Sequence, residues 1–333
     1  MGNYLDKVES IYKNTLGAAD FRLNGQMTPE QVKAWVTHMQ DKSDLLKKVN
    51  VVTRQRLTGA TGMIAQNDEA FTWIEEGKEP VDTQIHKKKT TPYIMKEVLF
   101  AESVGYSVID DNPEEGLVQK INDALAQSFS NSLQNLAING RSENFYDPAI
   151  LPANKGFMDL NEGFLQLATK AGNTTINKLI LAANDTALNP AVVGPPAIPA
   201  SIKDFDDVIS RLVGKLPQEF RMGALVLMSD DDRLYRNNYL TNTVAGANRA
   251  LAIAAMTAEA KQVIGDRAVY CPYFWPRDKL LLTKPENLEI SLGANVVRTV
   301  VDYPDRRALR FFYRAFVDFN IVVNEEAAVA YIA

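Results

Sequence analysis

The hydrophobic positions change period several times along this chain, and each change marks an element. Val32, Trp35, Val36 and Met39 recur at i, i+3, i+4 and i+7, the spacing of one helical face. Thr28 is a good N-cap, Pro29 suits the first helical position and Gln31 completes a capping box, which predicts a helix over 29–40. Upstream, Tyr4, Leu5, Val8, Ile11 and Tyr12 share another helical face. From Val49 the period falls to two, with Val49, Val51 and Thr53 alternating with Asn50, Val52 and Arg54. Residues 49–92 read as two extended arms around a polar middle, with bends at Gly59 and Gly62 and a turn at EEGKEP, 75–80. Phe71, Trp73 and Ile74 sit beside that turn rather than in a core-like run, and Lys87, Lys88 and Lys89 lie on the returning arm. A polar excursion of this length inside a compact domain usually has a functional reason.

The longest stripe is Leu117, Ile121, Leu125, Phe129, Leu133 and Leu136. Asn112 as cap, Pro113 at the first position, and Glu114 and Glu115 at the positive end predict a helix over 113–138. At 1.5 Å per residue it is about 40 Å long. Asn139-Gly140 reads as its stop. Residues 189–200 are a Pro-rich loop or linker, and a helix is predicted over 205–215. GALVLMS (223–229) reads as a buried strand, with Ser229 capping another helix. Residues 243–262 are Ala-rich and open between a helix and an exposed loop. Extended segments are predicted at 268–274, 279–283 and 287–291.

The 333 residues suffice for two domains, and 46% hydrophobic with 23% charged residues is ordinary for a folded protein. A net charge of -5 argues against a surface that neutralises many nucleic-acid phosphates. The single cysteine, Cys271, excludes an intrachain disulfide and reads as a buried small hydrophobe. Asp6, Lys7, Glu9 and Lys13 interrupt any signal-peptide core. Gly2 lacks the Ser or Thr that myristoylation wants at position 6, and no apolar run is long enough to span a membrane.

Candidate chemistry is sparse. His38 and His86 lie far apart, neither in a metal-ligand spacing, and no phosphate loop, dinucleotide fingerprint or nucleophile elbow is present. We therefore expect no catalytic residue, metal or cofactor. Asp230, Asp231 and Asp232 are best explained as the acidic first turn of a helix. Asp110, Asp111, Glu114 and Glu115 read the same way, with an intersubunit salt bridge to Lys87–Lys89 as competitor. Arg306, Arg310 and Arg314 share one face of a strand. The flanking Asp302, Asp305 and Asp318 favour a salt-bridged surface there over a phosphate-binding stripe.

From Cys271 to Ala333 a strand carrying LLTKPENLEI leads to a charged turn. A long strand follows, then an acidic turn and a short apolar strand. This order resembles the C-terminal pattern of tailed-phage major capsid proteins, in the Hong Kong 97 phage capsid fold family. The resemblance implies an α+β fold with an N-terminal arm (1–50), an extended loop (51–92), a peripheral domain with a long spine helix (93–160 and 284–333) and an axial domain (161–283). It implies a structural subunit that assembles with itself into pentamers and hexamers of an icosahedral shell around double-stranded DNA, touched weakly and nonspecifically. Portal, scaffolding or decoration proteins are the further partners, no membrane is involved, and the place is a virion capsid assembled in the host cytoplasm. An encapsulin-like nanocompartment shell is the alternative. Intersubunit contacts are expected from Val32, Trp35, Val36 and Met39, from Phe71, Trp73, Ile74 and Lys78, and from Lys87, Lys88, Lys89, Glu114 and Glu115. No covalent crosslink is expected, because Lys78 lacks a matching asparagine and glutamate motif. An N-terminal scaffolding extension is not evident either.

Overall fold

Local signals at the start of the chain produce the elements they predict. The computed structural model describes residues 25–66, 86–110, 117–141, 156–170, 173, 175–181, 205–234, 263–264, 267–277 and 279–332. After the short β1 (Gly25–Gln26), α1 (Pro29–Lys42) begins on the expected capping box. Gln31 N–H donates to Thr28 Oγ1 at 3.3 Å, and Thr28 N–H donates to Gln31 Oε1 at 2.9 Å. The destination of its stripe differs from the expectation of a neighbouring subunit. Val32, Val36 and Met39 are 0%, 6% and 1% exposed within their own chain, each burial stabilising it by about 1.5–3 kcal/mol. Trp35 stacks on Tyr313 at 5.6 Å and meets Phe129 edge-on at 4.6 Å. Ser43 then caps α2 (Asp44–Lys48), and its hydroxyl also donates to Gln134 at 2.8 Å.

β2 (Asn50–Arg54) leads into a hairpin of β3 (Thr58–Gln66) and β4 (His86–Ile94). β5 (Lys96–Gly105) and the short α3 (Tyr106–Asp110) follow. The described part of the long helix, α4 (Leu117–Asn139), buries Ile121, Leu125, Phe129, Leu133 and Leu136, as the stripe requires. α5 (Phe164–Thr169) packs beside it. β6 (Asn177–Leu181), α6 (Phe205–Lys215), α7 (Gln218–Arg221) and β7 (Leu225–Leu227) come next, and another helix starts at Asp230 as expected. The end of the chain is nearly all strand: β8 (Val263–Ile264), β9 (Arg267–Tyr270), β10 (Lys279–Thr283), β11 (Leu288–Gly293), β12 (Val297–Tyr303), β13 (Ala308–Ile321) and β14 (Ala328–Ile332).

These strands form two sheets. In the first, β13 pairs with β12 and β11 along one side and with β5 along the other, and β1 and β2 close the outer positions. The second runs β6-β14-β10-β7-β9-β8. Both depart from the expected boundaries. β2 lies parallel to β11, so the extended loop begins after Arg54 rather than at 51. β14 sits between β6 and β10, so the last strand belongs with the second sheet rather than with the peripheral domain. The strand expected over 268–274 ends at Tyr270, because Pro272 and Phe274 (φ 71) turn the chain. That turn is pinned to α4, where Gln134 and Asn139 amides donate to the carbonyls of Tyr273 and Phe274 at 3.0 and 2.8 Å.

Three chain crossings join the sheets, and asparagines lace them together. Asn287, between β10 and β11, donates to Val323 O at 2.9 Å and accepts from Val323 N–H at 2.7 Å. On the crossing that precedes β6, Thr175 Oγ1 accepts from Asn324 Nδ2 at 3.0 Å, and Asn177 N–H donates to Ala327 O at 3.2 Å.

α4 stops at Asn139-Gly140 as expected, and it does so without a left-handed glycine. Among the described glycines only Gly223 has a positive φ. A Cβ on Gly140 would instead stand 2.3 Å from Asn161 O and 2.8 Å from Gly163 N, backbone atoms that cannot yield cheaply. Gly140→Ala is therefore expected to destabilise the subunit by about 1–3 kcal/mol or more, read as a lower urea midpoint. An unchanged midpoint would contradict this close contact.

Candidate assembly surfaces

The hairpin stands apart from both sheets. β3 and β4 pair from Thr58–Ile94 to Gln66–His86 and form a two-stranded sheet of their own, about 30 Å long. Its base is anchored on both sides by polar groups. On one side Arg54 pairs with Glu289 at 2.5 Å and donates to Ser291 Oγ at 2.9 Å, while Thr61 Oγ1 donates to the other Glu289 oxygen at 2.9 Å. The Arg54 guanidinium lies 4.3 Å from the Tyr93 ring centroid, and Gly59 leaves room for that ring. On the other side Ile94 N–H and Asn320 Nδ2 both donate to Asp318 Oδ2 at 3.0 Å. Thr91 Oγ1 donates to Val322 O at 3.0 Å.

Burial pushes Asp318 above the usual carboxylate range, against the hydrogen bonds it accepts. Burial also raises Glu162 and lowers Lys96, which lie in the same cluster. Each raised carboxyl favours the fold most in acid, and that contribution is lost as pH rises through the folded value. Lys96 has the opposite sign, since its contribution grows as pH rises from its lowered value towards its ordinary one. Asp318→Asn keeps the shape and removes one titration. Its thermal midpoint, relative to the parent's, is expected to rise as pH climbs from the ordinary carboxylate range through the raised folded value of Asp318. A pH-independent difference would show that Asp318 does not titrate as its burial requires.

Of the residues expected at subunit contacts, Val32, Val36 and Met39 lie in the core and Trp35 is half-buried. Lys87, Lys88 and Lys89 lie on β4, opposite Ala65, Ile64 and Met63. Phe71, Trp73, Ile74, Lys78, Glu114 and Glu115 fall outside the described residues, as do Asn112, Pro113 and the segments 1–24, 189–200 and 243–262. Among the arginines, Arg314 pairs with Glu97 within the chain, and Arg310 lies against the Tyr303 and Phe312 rings. Asp318 is buried at the hairpin base rather than flanking that cluster, and Asp302 accepts from the Tyr106 hydroxyl.

The structure adds surface residues that the pattern did not single out. Leu99 is 63% exposed on β5, and Phe157 is 43% exposed at the opposite lip of a groove of about 530 Å³ between β5 and α4. Tyr273 is 72% exposed beside Phe274. In sequence Leu99 sits inside Val98-Leu99-Phe100, which reads as buried, and nothing local tells an edge strand from a central one. Among the described residues no cluster of His, Cys, Asp and Glu could hold a metal ion, and no helix is long and apolar enough to cross a membrane.

The fold is shared with assembled particles. The chain matches a subunit of the satellite phage P4 procapsid that includes the size determination (Sid) protein, with 16% identity, a TM-score of 0.67, and 99% of this chain and 98% of that one covered. The capsids of empty and native GTA particles match with TM-scores of 0.54 at 14% identity, covering 88% of this chain and 90% of theirs. No curated protein sequence matches. The model of the phage major capsid protein family named for P2 matches residues 2–333, and it favours a phage shell over the encapsulin-like alternative. Element order, hairpin, long helix and this end-to-end match agree: the chain belongs to the P2 family of phage major capsid proteins.

Proposed function

We propose that this major capsid protein builds its shell from rings of five and six copies in icosahedral arrangement, each copy laying its hairpin across the next. The observation that carries this reading is the hairpin itself, a two-stranded sheet whose anchors, among the described residues, lie at its base. A lone hairpin is at best marginally stable in water, so its outer part needs a surface to rest on. Phe71, Trp73 and Ile74 supply apolar contact, and Lys78 and Lys87–Lys89 meet acidic partners, Glu114 and Glu115 of the neighbour among them. The shell encloses double-stranded DNA and grips it weakly, in keeping with the net charge of -5 and the internally engaged Arg310 and Arg314. Assembly takes place in the host cytoplasm with portal, scaffolding or decoration proteins, and no catalytic step, metal, cofactor or membrane enters. The test is electron microscopy of the purified protein and of particles from infected cells. Closed shells with nuclease-protected DNA are expected. Protein that stays monomeric at high concentration, or shells filled with protein cargo, would overturn the reading.

A further inference from the structure

The corner of the second sheet where β7 and β9 begin is basic. α6 ends at Lys215, and the chain turns through Pro217 into α7 before it enters β7. Arg221, the last residue of α7, folds back on the end of α6. Its Nε donates to Leu216 O at 2.9 Å and its Nη2 to Gly214 O at 3.2 Å, carbonyls at a helix end that lack helical partners. Arg267, the first residue of β9, donates from Nη1 to Arg221 O at 2.6 Å. β7 and β9 run parallel with Val226 beside Val269, so both arginines lie at the same end of the sheet. Lys284 adjoins them, its Cε 3.5 Å from where a Cβ on Gly223 would stand. Lys284 spends its charge on Glu326 at 2.8 Å, whereas among the described residues neither Arg221 nor Arg267 pairs with a carboxylate. Nη1 of Arg221 and Nη2 of Arg267 make no hydrogen bond among the described residues. A guanidinium held by carbonyls keeps its charge and has already lost much of its freedom, so it is preorganised for an anion. From Gly214 to Gly223 the sequence has one acid, Glu219, against Lys215 and Arg221. Lys215 is exposed, and Met222 is 80% exposed, so the corner stands open on the subunit.

We propose that Lys215, Arg221 and Arg267 form a phosphate-contacting site for the duplex inside the shell. Resting on the reading that the shell encloses double-stranded DNA, this names the part of the subunit that makes the weak grip. Charge decides the occupant. Among the described residues Met222 is the only exposed large apolar side chain on this corner, so the surface offers charge and little shape. That suits a uniform polyanion better than a folded acidic partner, whose contact would need an apolar centre. Phosphate oxygens accept from the guanidinium N–H groups and from the Lys215 ammonium, and no base edge is read. Two or three such contacts bind duplex feebly on one subunit. Repeated on every copy of a closed shell, they sum to a hold on the genome that favours no stretch of sequence.

The test measures binding of a short mixed-sequence duplex to the full-length, unassembled protein by fluorescence anisotropy across a salt series. The logarithm of the binding constant is expected to fall against the logarithm of salt with a slope of about 2–3, near 0.9 for each phosphate contacted. Lys215→Gln and Arg267→Gln are each expected to weaken binding about three- to tenfold at low salt and to lower that slope by about one. Arg306→Gln, at an exposed arginine in the turn between β12 and β13, removes the same charge elsewhere and is expected to change neither. Equal loss in Arg306→Gln would show that net charge alone governs binding, and unchanged binding in Lys215→Gln would show that the corner touches no phosphate. Either result overturns the proposal. If Arg267→Gln lowers the unfolding midpoint, Lys215→Gln at its exposed position decides alone. Variants that bind duplex like the parent but assemble poorly would assign the corner to acidic side chains of another copy, which also overturns it. Because the protein is unassembled, a chain that forms no DNA-filled shell fails the shell reading separately, and the slopes still decide this site.

Discussion

A subunit lacking residues 1–40 is expected not to fold, whereas one lacking residues 1–24 is expected to fold. The first truncation removes Val32, Val36 and Met39, all buried in the chain's own core, together with the Trp35 ring that stacks on Tyr313. Losses of about 2–5 kcal/mol for each large buried side chain sum to about 10 kcal/mol, comparable with the 5–15 kcal/mol that holds a whole domain together. The second truncation stops before β1 and leaves α1 and its capping box whole. Circular dichroism and soluble yield distinguish the two. A folded, monomeric 1–40 truncation would show that α1 is an accessory arm after all.

Glu289→Ala should be the most damaging single substitution at the hairpin base. Glu289 is 3% exposed and accepts from Arg54 and Thr61, so its loss strands a partly buried guanidinium and a hydroxyl. Breaking a buried pair from one side costs about 3–5 kcal/mol. Arg54→Ala should cost less, because the Arg54 side chain is 18% exposed and less desolvated. Denaturant unfolding of isolated subunits measures both, and limited proteolysis within β3 should quicken in the Glu289 variant. Equal and small effects would mean that the pair does not anchor the hairpin.

Elements governed by neighbouring residues were legible in the sequence, and partnerships across the chain were not. Thr28, Pro29 and Gln31 mark the start of α1 because a capping box closes within four residues. The strands from Lys279 to Ile332 follow their alternation and their charged or acidic turns. The stripe of α1 showed that something covers it, without showing whose surface does. β2 joins the first sheet through parallel pairing with β11, whose residues lie more than two hundred positions away in the chain. β14 is apolar on both faces and would suit either sheet. Gly140 carries a chemical signal, the missing Cβ, that serves a left-handed turn and a close backbone approach equally well. The groove beside β5 depends on a strand being last among the described strands of its sheet, which periodicity does not encode.

The asparagine-laced junction between the sheets has a mechanical consequence. A single covalent link between two bodies is a swivel, free to twist as well as bend. Here three strands of backbone cross side by side, and Asn287, Asn324 and Asn177 tie each to its neighbour. Links joined in parallel resist torsion and shear, and leave only flexing about the axis that runs across them. Leu227, Leu281 and Val329 of one sheet also pack in one core with Ile290 and Phe319 of the other, which stiffens the joint against that flexing too. When pressure inside the shell rises, tension crosses each tile through three covalent strands rather than one.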